Sequence, residues 1–261
     1  MEMMRLDGSP IAYLIDEVPG REWCVFLHAA FVDHRMFAEQ LCHFAGRYSL
    51  LAIDILGHGG SADACAKDKM TDMAGWIARI FEKHHIPAAH FVGVSLGAVL
   101  IQDFANRYAG RVLSLACFGG YDINYFDAGR QQSNVAAQMK MMLKALFSIR
   151  WFSESNKQIS AYTREAQEAF YALNIQFKRR SFMYLAGVHE MVNRFPPALG
   201  SYRLLVGCGE KDIPMEIEIV NEWAEYAHCP KAIIHEAGHC CNMDNPQEFN
   251  SCLERFWEQS G

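Results

Sequence analysis

The chain has 261 residues, 51% hydrophobic and 21% charged, with 24 Lys+Arg against 30 Asp+Glu for a formal net charge of −6. That is ample apolar material for one sizeable domain, or a domain carrying an insertion, and it excludes a disordered chain. The acidic balance argues against nucleic acid as a general partner, and no stretch approaches the roughly 20 apolar residues of a membrane span.

Met1 to Glu17 holds acidic residues and no sustained apolar core, so a secretory signal is not expected and a soluble, cytoplasmic protein is. The nine cysteines are scattered without C-x-x-C pairs, several of them inside apolar runs. They read as reduced thiols that act as small apolar fillers. Cys240 and Cys241 stand next to His239, but the spacing is not that of a zinc site, and no metal or cofactor is expected.

Taken in chain order, short apolar runs alternate with helical patterns, the sequence form of a mostly parallel α/β sheet wound with helices on both faces. Asp7-Gly8 reads as a hairpin turn between two short strands. Strands are then expected at Trp23 to His28, Ser49 to Asp54, Ala89 to Val94, Val112 to Phe118, Tyr202 to Gly207 and Lys231 to Glu236. Helices are expected at Met36 to Ala45, Thr71 to His85, Leu96 to Tyr108, Ile217 to Ala227 and Pro246 to Gln259. The last has a clear start, with Asn245 as N-cap and Pro246 at the first helical position. From about Tyr121 to Leu199 no strand pattern appears, and the segment reads as several helices. In Met139, Met142, Leu143, Leu146 and Phe147 the spacing of three and four gathers the apolar groups on one helical face. The expected organisation is therefore a core of residues 1–120 and 200–261 with a helical insertion at 121–199.

Gly93-Val94-Ser95-Leu96-Gly97 lies between an expected strand and an expected helix. A serine on so sharp a turn takes strained backbone angles, and glycine two residues either side removes a collision of side chains. The turn exposes Ser95 Oγ and aims the first amides of the helix, Leu96 foremost, at the same spot. A serine hydroxyl is a poor nucleophile unless a histidine takes its proton, and the histidine needs an acid to fix its tautomer. Asp212, in the loop after the Tyr202 strand, and His239, after the Lys231 strand, are placed at two successive strand ends to supply them. Asp122, just beyond the Val112 strand, is a rival for the acid.

With serine, acid and histidine in this order, the chain resembles the α/β-hydrolase fold family, serine hydrolases with a helical cap, over nearly its whole length. His28-Ala29-Ala30-Phe31 is similar to the family's His-Gly oxyanion loop, and Asp54-Ile55-Leu56-Gly57-His58-Gly59-Gly60-Ser61 to its D-x-x-G-x-G-x-S loop. The resemblance implies Ser95 as nucleophile, His239 as general base and acid, and Asp212 as the orienting carboxylate. It also implies the backbone N–H groups of Ala30 and Leu96 as oxyanion donors and the 121–199 insertion as cap. Ala29 departs from the family's glycine, and if the loop needs positive φ there, alanine is strained. His28 and His58 read as histidines that hold backbone geometry, and His34 and Arg35 as solvated side chains near the substrate.

A cap over a strand-edge serine encloses a largely apolar cleft, with Phe31, Met142, Phe147 and Trp151 as candidates for its lining. The expected activity is cofactor-free hydrolysis of an ester, thioester or lactone of a small to medium, mostly apolar acyl compound. Acyl transfer, carbon–carbon bond hydrolysis and slow-turnover ligand sensing are the alternatives that the same residues allow. Residues 121–200 hold ten Lys+Arg and six Asp+Glu. A basic insertion over an acidic body would suit an acidic carrier protein, although solvated helix faces account for the same count.

Overall fold

The computed structural model describes residues 1–125, 144–145, 147–195 and 202–258. Eight strands form one sheet: β1 (Glu2–Arg5), β2 (Ala12–Asp16), β3 (Trp23–Leu27), β4 (Ser49–Ile53), β5 (Ala89–Val94), β6 (Val112–Phe118), β7 (Arg203–Gly209) and β8 (Lys231–Ile234). Their order is β1-β2-β4-β3-β5-β6-β7-β8. The first two strands are antiparallel to their neighbours, and every pairing among β3 to β8 is parallel. The hairpin expected at Asp7-Gly8 forms, with Gly8 at φ 64.

The helices are α1 (Ala38–Phe44), α2 (Met73–Lys83), α3 (Leu96–Tyr108), α4 (Ile149–Ser160), α5 (Arg164–Asn174), α6 (Phe182–Leu185), α7 (Pro214–Ala227), α8 (Cys241–Asp244) and α9 (Pro246–Glu258). α4, α5 and α6 all fall between β6 and β7, inside the segment where the sequence shows no strand pattern. Strands β3, β4 and β5 are buried at every position, as continuous apolar runs in a sheet covered on both faces must be. Successive side chains serve opposite faces. On β3, Val25 and Leu27 join one core cluster, with Trp76, Phe81, Phe104 and Trp223 from α2, α3 and α7. Cys24 and Phe26 join the other, with Phe44, Phe249 and Trp257 from α1 and α9.

Several boundaries shift for physical reasons. The first expected helix starts as a 3-10 turn over His34–Phe37 before α1, because the Asp33 side chain caps Arg35 N–H at 3.1 Å and draws the chain into a turn early. α7 begins at Pro214, where a proline at the first helical position forfeits no hydrogen bond. β8 stops at Ile234, and Glu236, expected at its end, takes φ 49 as the chain swings toward His239. Asn245 Oδ1 accepts Glu248 N–H at 3.2 Å, so the expected N-cap of α9 is in place. All nine cysteines are free, and six of them are buried, in keeping with the role of apolar filler. Among the described residues no helix is long and apolar enough to cross a membrane.

A buried amide cluster ties the segment after β3 to the C-terminal helices. Gln40 Nε2 donates to Asn242 O at 3.2 Å and to Asn250 Oδ1 at 3.0 Å, while Asn242 Nδ2 donates to Met36 O at 2.9 Å and to Gln40 Oε1 at 3.2 Å. Gln40→Leu fills the space but strips partners from buried polar groups. It is expected to lower unfolding stability by about 1–3 kcal/mol, read as a lower midpoint in urea with an unchanged slope.

Candidate active site

Ser95 occupies the single residue between β5 and α3, at φ 54 and ψ −113. A side chain in that region carries strain of order 1–3 kcal/mol, so the turn persists only because its surroundings impose it. Ser95 N–H donates to Phe118 O at 2.8 Å. A Cβ on Gly93 would lie 2.5 Å from Gly97 C, and one on Gly97 would lie 1.9 Å from Leu27 O. Both glycines are therefore demanded by close backbone approach, as the motif predicts.

The loop after β7 delivers Asp212 and the loop after β8 delivers His239, and the two meet. His239 Nδ1 lies 3.1 Å from Asp212 Oδ2 and 3.3 Å from Oδ1. Asp212 is buried, and its Oδ1 also accepts Ile213 N–H at 2.8 Å. Burial works against a charged imidazole, but the Asp212 charge and hydrogen bond outweigh it. With a smaller contribution from Glu216, they push His239 up to about 9. The Asp212 bond also fixes the tautomer, with the proton on Nδ1 and Nε2 free to take another.

The end of β6 joins this pair to the serine. Phe118 O holds Ser95 N–H, and a Cβ on the next residue, Gly119 (φ 58), would lie 3.0 Å from His239 Cε1. Glycine at 119 lets the imidazole rest on the strand end. No hydrogen bond joins Ser95 Oγ to His239 among the described residues, and such bonds commonly tighten only in a substrate complex. Asp122, the rival acid, is engaged elsewhere: it accepts Asn124 N–H at 2.8 Å and Tyr226 O–H at 2.9 Å.

The loop after β3 corrects one expectation. Ala29 is not among the residues with positive φ; the left-handed residue is Phe31, at φ 72. Ala29 N–H is held by Met36 Sδ at 3.2 Å, and Phe31 O accepts from Asn174 Nδ2 at 3.1 Å. The strain that a missing glycine would cause is thus displaced two residues along and pinned there by α5. Among the described residues no loop or turn backbone hydrogen bond engages Ala30 N–H or Leu96 N–H.

His28 and His58 behave as expected of scaffold residues. His28 Nδ1–H donates to Ala29 O at 2.8 Å while Nε2 accepts Ile55 N–H at 2.9 Å, which requires a neutral ring. Burial, with His28 beside it, pushes His58 down to about 3. His34 and Arg35 are not simply solvated: His34 Nδ1 bonds Asp54 Oδ1 at 2.8 Å and Arg35 forks onto Asp33 at 2.6 and 2.8 Å. Asp33, His34 and Asp54 are also the residues whose donor atoms lie close enough for a metal, within 4.8 Å of one another. Each is already engaged, Asp54 through Gly60 N–H as well.

Of the expected lining residues, Phe31 is enclosed by aromatic rings: Phe152 at 5.0 Å, Phe177 at 5.2 Å and Phe182 at 5.5 Å. Phe147 and Trp151 are exposed, at 78% and 53%, and it is Phe152, the neighbour of Trp151, that α4 turns inward. Met142 lies outside the described residues. Asn174, which grips the Phe31 carbonyl, carries no sequence signal, since an isolated asparagine in a helical pattern reads as surface.

The model of the alpha/beta hydrolase family matches residues 24–251. The dihydrolipoyllysine-residue acetyltransferase component of the acetoin cleaving system of Cupriavidus necator is 32% identical, over 96% of this chain and 67% of that protein. The 2-succinyl-6-hydroxy-2,4-cyclohexadiene-1-carboxylate synthase of Klebsiella pneumoniae is 24% identical over 91% of this chain and 94% of that one. Among solved structures, a thermophilic esterase from Thermogutta terrifontis superposes with a TM-score of 0.77 at 15% identity, covering 99% of this chain and 98% of its own. The chain belongs to the alpha/beta hydrolase family.

Proposed function

We propose that this protein is a serine hydrolase that cleaves an ester, thioester or lactone of a small to medium, mostly apolar acyl compound. The observation that carries the reading is the His239–Asp212 pair at 3.1 Å, set against the same strand end that holds the strained Ser95 turn. Ser95 Oγ attacks the carbonyl carbon as His239 Nε2 takes its proton. The imidazolium, steadied by Asp212, then protonates the leaving oxygen or sulfur. Negative charge on the carbonyl oxygen is held by the N–H groups of Leu96 and Ala30, donors worth about 10²–10³ in rate where one is lost. Water, deprotonated by His239, releases the acid and frees the serine. Residues 121–199 act as the cap over this site, and the aromatic group around Phe31 supports an apolar acyl subsite.

A second reading is acyl transfer, in which a thiol or alcohol takes the place of water. It is favoured by the name of the 32% identical relative, an acetyltransferase component, and by the basic count of the insertion, which suits an acidic carrier. Both readings share the acyl-enzyme. A fluorophosphonate probe with the adduct mapped by mass spectrometry tests that step: modification of Ser95 is expected, and modification at any other residue, or none, sinks both.

A further inference from the structure

The loop that carries His239 is bonded to the α4–α5 turn on both sides of the histidine. On one side, Cys240 N–H donates to Ser160 O at 2.7 Å. On the other, Gly238 N–H donates to Asp244 Oδ2 at 2.8 Å. The same carboxylate gathers the turn itself, accepting Tyr162 N–H at 3.0 Å on each oxygen, and Thr163 N–H at 2.7 Å and Thr163 Oγ1–H at 2.8 Å on Oδ1. The backbones are in close approach here: a Cβ on Gly238 would lie 3.1 Å from Tyr162 N. One half-buried side chain thus bridges two segments about 80 residues apart in sequence, and nothing in the proposed chemistry uses it.

We propose that Asp244 is a positioning residue for His239: its carboxylate fastens the α4–α5 turn to the Gly238 amide and so holds the imidazole against Asp212. This deepens the hydrolase reading and rests on it, since only a base needs to be held so. With Cys240 N–H anchored to Ser160 O, the histidine is suspended between two fixed points, and loss of Asp244 frees one of them. The imidazole then drifts from Asp212, and misplacement of a reacting group by about 1 Å costs on the order of 10²-fold in rate. Among the described residues, the other ionisable groups facing the histidine loop include Asp212 from the loop after β7, Glu216 from α7, and Lys211, which pairs with Glu210 and Glu236 and whose ammonium lies 6.0 Å from the Tyr162 ring centre.

Asp244→Asn is the informative change. It keeps one acceptor oxygen, but whichever way the amide turns, its NH2 meets an N–H, either at Gly238 or at the Tyr162–Thr163 turn. The expected result with p-nitrophenyl butyrate is a 10- to 100-fold lower kcat with KM within about twofold. The acid limb of the pH profile moves to lower pH, because His239 loses its close carboxylate. The His239 imidazole, followed by NMR titration without any substrate, shifts down with it. Gln167→Ala is the comparison: Gln167 Nε2 braces the same turn through Ala161 O at 3.0 Å and Tyr162 O at 3.3 Å and is not a partner of the Gly238 and Cys240 amides, so its loss is expected to lower thermal stability and leave the His239 titration in place. A native kcat and native His239 titration in Asp244→Asn overturn the proposal, as does a loss of rate fully matched by a loss of folded protein. If Asp244→Asn does not fold, Asp244→Glu, which keeps the charge and displaces it, carries the test, and a native kcat and titration there overturn it equally. Failure of fluorophosphonate to label Ser95 in the unaltered protein would instead sink the hydrolase reading, while the NMR titration would still report on Asp244.

Discussion

Ser95→Ala is expected to lower p-nitrophenyl butyrate turnover by about 10⁴-fold or more and to abolish fluorophosphonate labelling. Loss of a triad nucleophile in a serine protease costs on the order of 10⁶ in kcat, with the remainder coming from the oxyanion donors and binding. The substitution isolates chemistry from folding. The strained backbone at φ 54 is imposed by the Ser95 N–H bond to Phe118 O and by the contact of Gly97 with Leu27, and alanine meets the same constraints as serine. The melting temperature should therefore change little. Turnover that survives Ser95→Ala with native folding would place the nucleophile elsewhere.

Asp212→Asn is expected to reduce kcat by about 10⁴-fold, the loss seen when an orienting aspartate becomes an amide and favours the wrong imidazole tautomer, and to move the pH profile. The sign follows from what holds His239 at about 9. The base must be neutral to accept a proton, so kcat/KM in the unaltered protein climbs as pH rises through that value. Without the carboxylate, burial is left as the leading influence and pulls the imidazole down, so the limb moves to lower pH while its plateau falls. The same raised value sets a stability window. The pair's contribution to folding is complete below the ordinary histidine value of about 6.5 and is lost as pH rises through about 9. A limb that stays in place in Asp212→Asn would show that Asp212 does not set the ionisation of His239.

The sheet and the Ser95 turn were legible in the sequence because both are local. Continuous apolar runs such as Trp23–Leu27 and Ala89–Val94 state their own burial, and Gly93 and Gly97 mark a backbone approach that no other residue permits. That Asp212 and His239 would come close could be expected from the sequence, since each follows a strand whose end faces one sheet edge. The bridges between distant segments could not. Asn174 and Phe31 are separated by 143 residues and Thr163 and Asp244 by 81, and no periodicity relates such positions. The inward face of α4 was misjudged for a related reason. Trp151 and Phe152 are adjacent and both aromatic, and only the packing of Phe152 on Phe31 and Phe182 decides which is enclosed.

The approach of Gly97 to Leu27 has a wider consequence. The turn that presents Ser95 and the start of the loop that offers Ala30 N–H touch through main-chain atoms alone, with only glycine and a carbonyl at the join. The spacing between the main chain at Ser95 and the Ala30 amide, the proposed nucleophile and oxyanion donor, is then set by main-chain contact and not by the side chains around it. A single methyl group added at position 97 would meet the Leu27 carbonyl and force the two segments apart.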